Sequence, residues 1–488
     1  MPAADRPAYA EKNIDACRHL TSVKKIWRVA FFKNFYKLLI NMDNLHRIIR
    51  SVLLILSFSI LPLFSLFAKE ISLKEFLALA LKNNLELKAF QQAIKASELE
   101  KEAAKGAYFP RLKLEELLSH SDIPAQVFTF KLNQEEFSAK DFEIKKLNDP
   151  KSRTNFETRL TLELPIWLGG KIQAQVKQAE AHFRALKNLY ERKEEEVLSQ
   201  VYQAYLFAIL SKESIKVSES SIREAEEHLR IAKARYQAGT ALLSDVYRAE
   251  VYLNRAKESQ EKAKNYYSLA KKNLELLVNT SLGDFEVEDL ASIPQIEIER
   301  VKTLAFQNRK DLKALEEEIK TQREAYKVTL SENLPQISAF ATYSLNDKNY
   351  PFGSSGSGYL LGLGLTWKFD TGLTTLKKAQ AELQKSSSLE KKYLFLKNNI
   401  LFEIEKAHTE YQNALYKFKS AESRIQASTE MLRIIQLRYQ SGLARMLDLL
   451  DAQSELDQAR LERLQALKDL HEAYMQILLA GGILKEAL

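Results

Sequence analysis

The stretch RYQAGTALLSD (residues 235–245) recurs as RYQSGLARMLD (residues 438–448), with six of eleven positions identical at a constant offset of 203. Each copy ends a long apolar-periodic run with a glycine, Gly239 or Gly442, and places an aspartate, Asp245 or Asp448, six residues later. Upstream of the first glycine, apolar or small residues recur at 201, 204, 208, 211, 215, 218, 222, 225, 229, 232 and 236. Upstream of the second they recur at 400, 404, 407, 411, 414, 418, 421, 425, 428, 432, 435 and 439. Alternating steps of three and four make a heptad repeat, so these helices pack lengthwise on one another. Residues 171–238 would form one helix of 68 residues, roughly 100 Å long at the ordinary helical rise. Glycine tolerates the left-handed conformation that ends a helix and lets the chain reverse. Ser244 and Asp245 are then expected near the start of the returning helix, where polar caps and negative charge are favoured. Each motif reads as the tip of an αα-hairpin.

Composition agrees with long helices. The 488 residues include 14 Gly and 10 Pro, with no proline between Pro165 and Pro294 or after Pro351, too little punctuation for a string of ordinary domains. The formal charge of +8 is localised: residues 1–68 carry ten Lys/Arg and four Asp/Glu, leaving 62 basic against 60 acidic residues in the rest. Nucleic acid is therefore not an expected partner. Residues 42–68 read as a signal peptide behind an extension, with Arg47 and Arg50, an apolar run from Ser51 to Phe67, and Ala68 for cleavage. The run approaches the length of a membrane anchor, but Pro62 and Ala68 sit where a signal's apolar region ends. Cys17 is the only cysteine and lies upstream of the cleavage point, so neither disulfides nor cysteine-held metals are expected. The histidines, His120, His182, His228 and His408 among them, lack metal-ligand spacing and are expected to be solvated. No phosphate loop, nucleophile motif or paired catalytic acid stands out. The chain reads as neither an enzyme nor the holder of a cofactor or metal.

The repeat reaches beyond the tips. LKAFQQAIKASELEKEAAKGAYFPRL from Leu87 matches LKALEEEIKTQREAYKVTLSENLPQI from Leu312 at an offset of 225. The expected organisation is an N-terminal extension and signal (1–68), a first repeat (69–281), a linker (282–299), a second repeat (300–482) and a short tail (483–488). Each repeat reads as helix, two strand-like segments, very long helix, glycine break and helix.

In FETRLTLELPIW (156–167), Phe156, Thr158, Leu160, Leu162, Leu164 and Ile166 alternate with Glu157, Arg159, Thr161 and Glu163. In YLLGLGLTWKF (359–369), Tyr359, Leu361, Leu363, Leu365, Trp367 and Phe369 share one face. ISAFATYSL (337–345) alternates more weakly, and a fourth segment between Arg111 and Leu132 is the least clear. About ten alternating residues with aromatics near the ends is the pattern of a transmembrane β-strand. Four strands cannot close a barrel, and an open edge cannot persist in lipid, so the chain is expected to oligomerise. Two, three or four copies are arithmetically possible. The polar connections 138–153 and 346–358 would face one side of the membrane and the helices the other.

The duplication, the paired strands, LPIWLGGKIQAQVKQAEA (164–181) and the two RYQxG breaks followed by Asp245 and Asp448 together resemble the TolC-like outer membrane efflux protein family across residues 70–482. The resemblance implies a mainly α fold with a transmembrane β part. Tandem-duplicated coiled-coil hairpins would form a trimeric α-barrel in the periplasm, continuous with a twelve-stranded β-barrel in outer membrane lipid. It implies a homotrimer serving as the exit duct of a tripartite efflux or type I secretion system, partnered by a periplasmic adaptor and an inner-membrane pump. It also implies that Asp448 and Asp451 line the periplasmic aperture as an acidic ring, where crowding should raise some of their pKa values. From the residues alone, those two aspartates with Glu455 and Glu462 read first as a solvated charged face, and it is the resemblance that turns the reading towards the aperture. Tyr439 and Asp245 match the family's aperture latch. Its arginine does not transfer: Ala444 stands at that place, with Arg445 beside it. Gly239 with Thr240, and Gly442 with Leu443, would be adaptor-facing tips, although a plain structural role explains the glycines as well. The other reading is a non-conducting periplasmic coiled-coil adaptor or scaffold.

Overall fold

The computed structural model describes residues 69–290, 293–294 and 296–487, so the expected extension and signal lie outside the described residues. Of the described residues, 70–283 and 287–487 belong to one compact unit, and 69 with 284–286 fall outside it. The larger unit runs α1 (Leu73–Asn83), α2 (Leu85–Gly106), β1 (Arg111–Ser121), α3 (Pro124–Asn133), β2 (Arg153–Leu168), α4 (Lys171–Gln237) and α5 (Leu243–Val278). It continues with α6 (Ile298–Asn308), α7 (Lys310–Leu330), β3 (Gln336–Asp347), β4 (Gly356–Thr366), α8 (Thr374–Gln440) and α9 (Met446–Ala480).

Both long helices, α4 and α8, have 67 residues, about 100 Å each. They can stay packed over that length because of what their seams contain. Buried alanines fall seven residues apart at Ala249, Ala256, Ala263 and Ala270 in α5, and at Ala452, Ala459, Ala466, Ala473 and Ala480 in α9. Ser211, Ser218, Ala225 and Ala232 repeat the pattern in α4, as do Ala407, Ala414, Ala421 and Ser428 in α8. Side chains this short let helix axes approach closely, and a strict seven-residue period keeps the seam on one face. The heptad run overreaches at one point: Tyr439 is 5% exposed, whereas its counterpart Tyr236 is 45% exposed.

Two helices, not one, precede the strands in each half. Asn84 separates the first pair: its Oδ1 accepts the N–H groups of Glu86 (2.9 Å) and Leu87 (3.2 Å), and its Nδ2 donates to the Leu277 carbonyl at 2.9 Å. One side chain thus caps α2 and ties it to α5.

The four long strands form one antiparallel sheet in the order β1-β2-β3-β4. The segment least legible in the sequence resolves as β1. The register aligns Leu112 with Leu162 and Leu114 with Leu160. It continues Leu162 to Ala341 and Leu160 to Tyr343, then Ala341 to Leu361 and Tyr343 to Tyr359. One face is therefore an apolar band bordered by a tyrosine pair. Glu116 interrupts it, accepting the Thr158 hydroxyl at 2.5 Å. The other face carries Lys113, Glu115, Arg159, Glu163, Thr161 and Thr342. On that face Gly362 lies beneath Phe340, whose ring would meet an added Cβ at 2.5 Å.

Simple alternation fails at one end of the sheet. A bulge between Pro165 and Trp167 brings Trp167 opposite Ile337, so the tryptophan takes the apolar face that alternation assigns to Ile166. Strand β4 stops at Thr366, leaving Trp367 and Phe369 beyond it with ring centroids 4.8 Å apart. At the opposite end, the β1–β2 connection is more than a polar loop. It contains α3, short helices at Ala139–Phe142 and Ile144–Asn148, and a stack of Phe128, Phe137 and Phe142. Buried Gln134 fastens it to the strands, donating to Asn155 Oδ1 (2.7 Å) and accepting from Arg153 Nε (2.6 Å). The terminal residues are anchored too, with Leu484 fully buried and Lys485 paired to Glu194 at 2.7 Å. Among the described residues no helix is long and apolar enough to cross a membrane.

The seam yields a stability prediction. Ala459 is wholly buried, so Ala459→Leu should overpack α9 and destabilise by about 1–3 kcal/mol. A lower denaturation midpoint than wild type is expected, with Lys262→Leu at an exposed position as the unaffected control.

Candidate functional site

The repeated motif forms the two hairpin turns. Gly239 and Gly442 adopt φ of 72° and 75°, with open space where a Cβ would stand. Around them the backbone makes the paired bonds of a Schellman cap: Gly239 N–H to Tyr236 and Thr240 N–H to Arg235, then Gly442 N–H to Tyr439 and Leu443 N–H to Arg438, all between 2.7 and 3.0 Å. The cap answers why the motif holds a glycine. It leaves Thr240 and Leu443 exposed at the turns.

The recurring aspartate has a local role as well. The N-cap positions are Leu242 and Arg445; in the first tip that is two residues before Ser244, the expected polar cap, which lies inside α5. The carboxylate three residues on satisfies the N-cap N–H: Asp245 accepts from Leu242 at 3.3 Å and Asp448 from Arg445 at 2.9 Å. A carboxylate there also meets the positive end of the helix dipole.

Beyond the turns, the hairpins share an apolar core. Ala232 of α4, Val246 and Ala249 of α5, Leu432 and Tyr439 of α8, and Met446, Leu449 and Leu456 of α9 belong to one cluster. The polar contact between the tips is Arg235. Its guanidinium lies 4.2 Å from the centroid of the Tyr439 ring, and its Nη2 donates to the Gln440 carbonyl at 3.1 Å. Burial raises the Tyr439 phenol's pKa, Arg235 opposes that rise, and the nearby charge of Asp245 adds to it. Tyr439 and Asp245 are thus close. Arg235, which was not singled out from the sequence, makes the contact with the tyrosine. Its presence in both motif copies was the available signal.

Higher up, a buried polar seam joins α4, α5 and α9. Tyr252 donates its hydroxyl hydrogen to Asp457, and Gln453 donates to Glu224. Arg460 lies 3.4 Å from Glu224 and 3.3 Å from Asp457. His228, expected to be solvated, is 4% exposed here, with Nε2 3.5 Å from Gln453 Oε1. Burial holds its pKa below the ordinary histidine value. The heptad pattern passed over it because His228 sits one residue before Leu229, the apolar position of the run.

Of the acidic stripe on α9, Asp451 is exposed. Glu455 and Glu462 are not free acids: Arg424 of α8 pairs with them at 2.8 and 2.6 Å. Asp448 is bound by Arg445, with Nη2 to Oδ1 at 2.9 Å. The hydrogen-bonded Arg445 guanidinium holds the Asp448 carboxyl below its ordinary value. Within one chain that is the reverse of the rise expected from crowded like charges.

Comparison with known proteins fits this geometry. Residues 76–280 and 302–482 match the family described as "Outer membrane efflux protein". The alkaline protease secretion protein AprF of Pseudomonas aeruginosa is 22% identical over 311 residues, 60% of this chain and 63% of AprF. The outer membrane protein TolC of Escherichia coli is 28% identical over 134 residues, 28% of this chain and 26% of TolC. The chain thus aligns with less than two thirds of either relative's length. Among solved structures, the outer-membrane channel OprN superposes with a TM-score of 0.72 at 17% identity, covering 84% of this chain and 89% of OprN. The Campylobacter jejuni CmeC channel gives 0.72 at 16% identity, covering 84% and 86%. With repeated long hairpins, a four-stranded sheet and a family match over most of its length, the chain belongs to the outer membrane efflux protein family, proteins of the outer membrane with a periplasmic helical part.

Proposed function

We propose that three copies of the chain form an exit duct through the outer membrane, twelve strands closing the barrel and the long helices lining a periplasmic tunnel. The observation that carries this reading is the sheet. Its apolar face is uncovered, with Leu361 and Leu363 at 67% and 75% exposure, and β1 and β4 each leave an edge unpaired within the chain. In lipid such edges must find partners, and successive copies supply them. A coiled-coil scaffold would have no use for this sheet.

The duct serves a tripartite efflux or type I secretion system, with an inner-membrane pump beneath it and a periplasmic adaptor against the turns at Gly239, Thr240, Gly442 and Leu443. Processing removes residues 1–68, and two repeats (69–281 and 300–482) joined by the linker 282–299 form the mature chain, with a tail at 483–488. Asp448 and Asp451 line the aperture. Tyr439, Asp245 and Arg445 belong to the latch that keeps it narrow. Opening moves α8 and α9 away from α4 and α5 and so separates Arg235 from Tyr439.

Three outcomes test this. Protein extracted from outer membranes should migrate as a heat-modifiable trimer and conduct ions in a planar bilayer, and correctly inserted protein without conductance would favour the scaffold. Arg235→Ala removes a cation–π contact worth on the order of 1 kcal/mol per chain, so open probability should rise several-fold over wild type. The third outcome is pH dependence. His228 has Glu224 and Glu227 of α4 and Gln453 and Asp457 of α9 around it, with Glu224 and Asp457 paired to Arg460 and Asp457 also bonded by Tyr252 of α5. Its pKa is lowered while the seam is packed. Parting the seam restores an ordinary value near 6.5. Protonation therefore favours parting: the seam is at full strength above that pH and weakens as pH falls through it. Open probability should rise from about pH 7 to about pH 5 in wild type, and stay flat in His228→Gln.

A further inference from the structure

We infer that Arg445 sets the charge of the aperture, cancelling one of the two carboxylates that each chain brings to it and leaving Asp451 to confer cation selectivity. The inference rests on the proposed placement of Asp448 and Asp451 at the constriction.

Three contacts hold Arg445 and Asp448 together. The Arg445 backbone N–H reaches Oδ2 at 2.9 Å, Nε reaches Oδ2 at 3.3 Å and Nη2 reaches Oδ1 at 2.9 Å. The arginine is 78% exposed and the aspartate 33% exposed. An ordinary exposed ion pair contributes little, because two long side chains must be ordered for a screened attraction. Here the ordering is largely built in. Asp448 is already fixed as the helix-capping carboxylate, and the guanidinium meets it in a two-pronged geometry that a lysine could not reproduce.

The duplicated tip shows that this pairing is an addition. At the place of Arg445 the first tip has Leu242, and Asp245 caps its helix through the backbone alone. A helix turn on, the first tip has Arg248 where the second has Asp451. Capping therefore requires the aspartate and not the arginine. Asp451 is exposed one turn beyond the pair, lining the groove between α5 and α9 with Arg248 and Arg255. Three chains would bring six carboxylates and three Arg445 guanidinium groups, a net charge of −3 in place of −6. Such a ring still favours cations, with a weaker field and looser hold on multivalent ions than six free carboxylates would give.

The test is the reversal potential in a KCl gradient across a planar bilayer, together with block by lanthanum(III) added on the helical side. Each variant is first checked as a heat-modifiable trimer. Arg445→Gln should raise the K+/Cl− permeability ratio several-fold and strengthen lanthanum block. Asp451→Asn should bring the ratio towards one and relieve block. The double variant Arg445→Gln/Asp448→Asn has the same net charge as wild type and should return to its ratio. Arg248→Gln, an unpaired cation of the same groove, should change the ratio far less than Arg445→Gln. If Asp451→Asn abolishes selectivity but Arg445→Gln changes nothing, or does no more than Arg248→Gln, the ring stands and the role of Arg445 falls. If no variant alters selectivity, the constriction lies elsewhere and the placement of both aspartates fails with it.

Discussion

An N–H or C=O at the edge of a sheet finds no hydrogen-bonding partner in hydrocarbon, and leaving such groups unmade costs several kcal/mol each. Much of this chain follows from that constraint. Four strands present an apolar band on one face and charged or small residues on the other, so the sheet is made to separate lipid from water. It is too narrow to close alone. The bulge at Pro165–Trp167 and the Gln134–Asn155 anchor lie at opposite ends, where the strands give way to other structure. In the proposed assembly, pairing with further copies would also dictate what the helices do, since helices continuing from a closed ring of strands would have to form a ring themselves.

Such a ring needs long helices held close without bulky cores. The seven-residue spacing of alanine and serine meets that need: two thin helices can lie against each other over the whole length of a hairpin. Larger side chains pack beside these small ones, Leu432, Leu449 and Leu456 between the hairpins among them. Tyr205, wholly buried, accepts the Glu288 N–H at 2.8 Å and shares its single hydroxyl hydrogen between the Ile71 and Glu288 carbonyls, each 3.0 Å away, tying the middle of α4 to residues on either side of the helical repeat. Burial pushes its phenol pKa well up, as befits a tyrosine used as a fixed hydrogen-bonding post.

Duplication supplies two similar hairpins, and the functional reading depends on where they differ. The two turns have the same glycine geometry and the same capping carboxylate. Yet Arg235 crosses to Tyr439, while Tyr236 remains at the surface. Polar side chains of α4 and α5 meet those of α9 in a buried seam, and such a seam is stable only while every member keeps its partner. In the proposed opening, small relative movements of the hairpins would exchange these polar contacts for water.

The sequence by itself determined the heptad helices, the hairpin turns, the duplication and three of the four strands, because each is written in local periodicity or in a residue type that one backbone conformation demands. It left β1 faint, since Glu116 and Leu117 break its alternation. It missed that Trp167 comes opposite Ile337, and it read Tyr236 into the seam, since neither a bulge nor a turn's end shows in a period. Only the tertiary structure decided how charges pair. Asp448, Glu455 and Glu462 look like one acidic stripe along α9, but Arg445 and Arg424 reach them, one from the preceding turn and one from α8. His228 and Arg235 likewise acquired their partners from other helices. A helical period records which way a side chain points. Its charge state and contacts depend on what stands opposite it, placed there from the preceding turn for Asp448 and from more than two hundred residues away for His228.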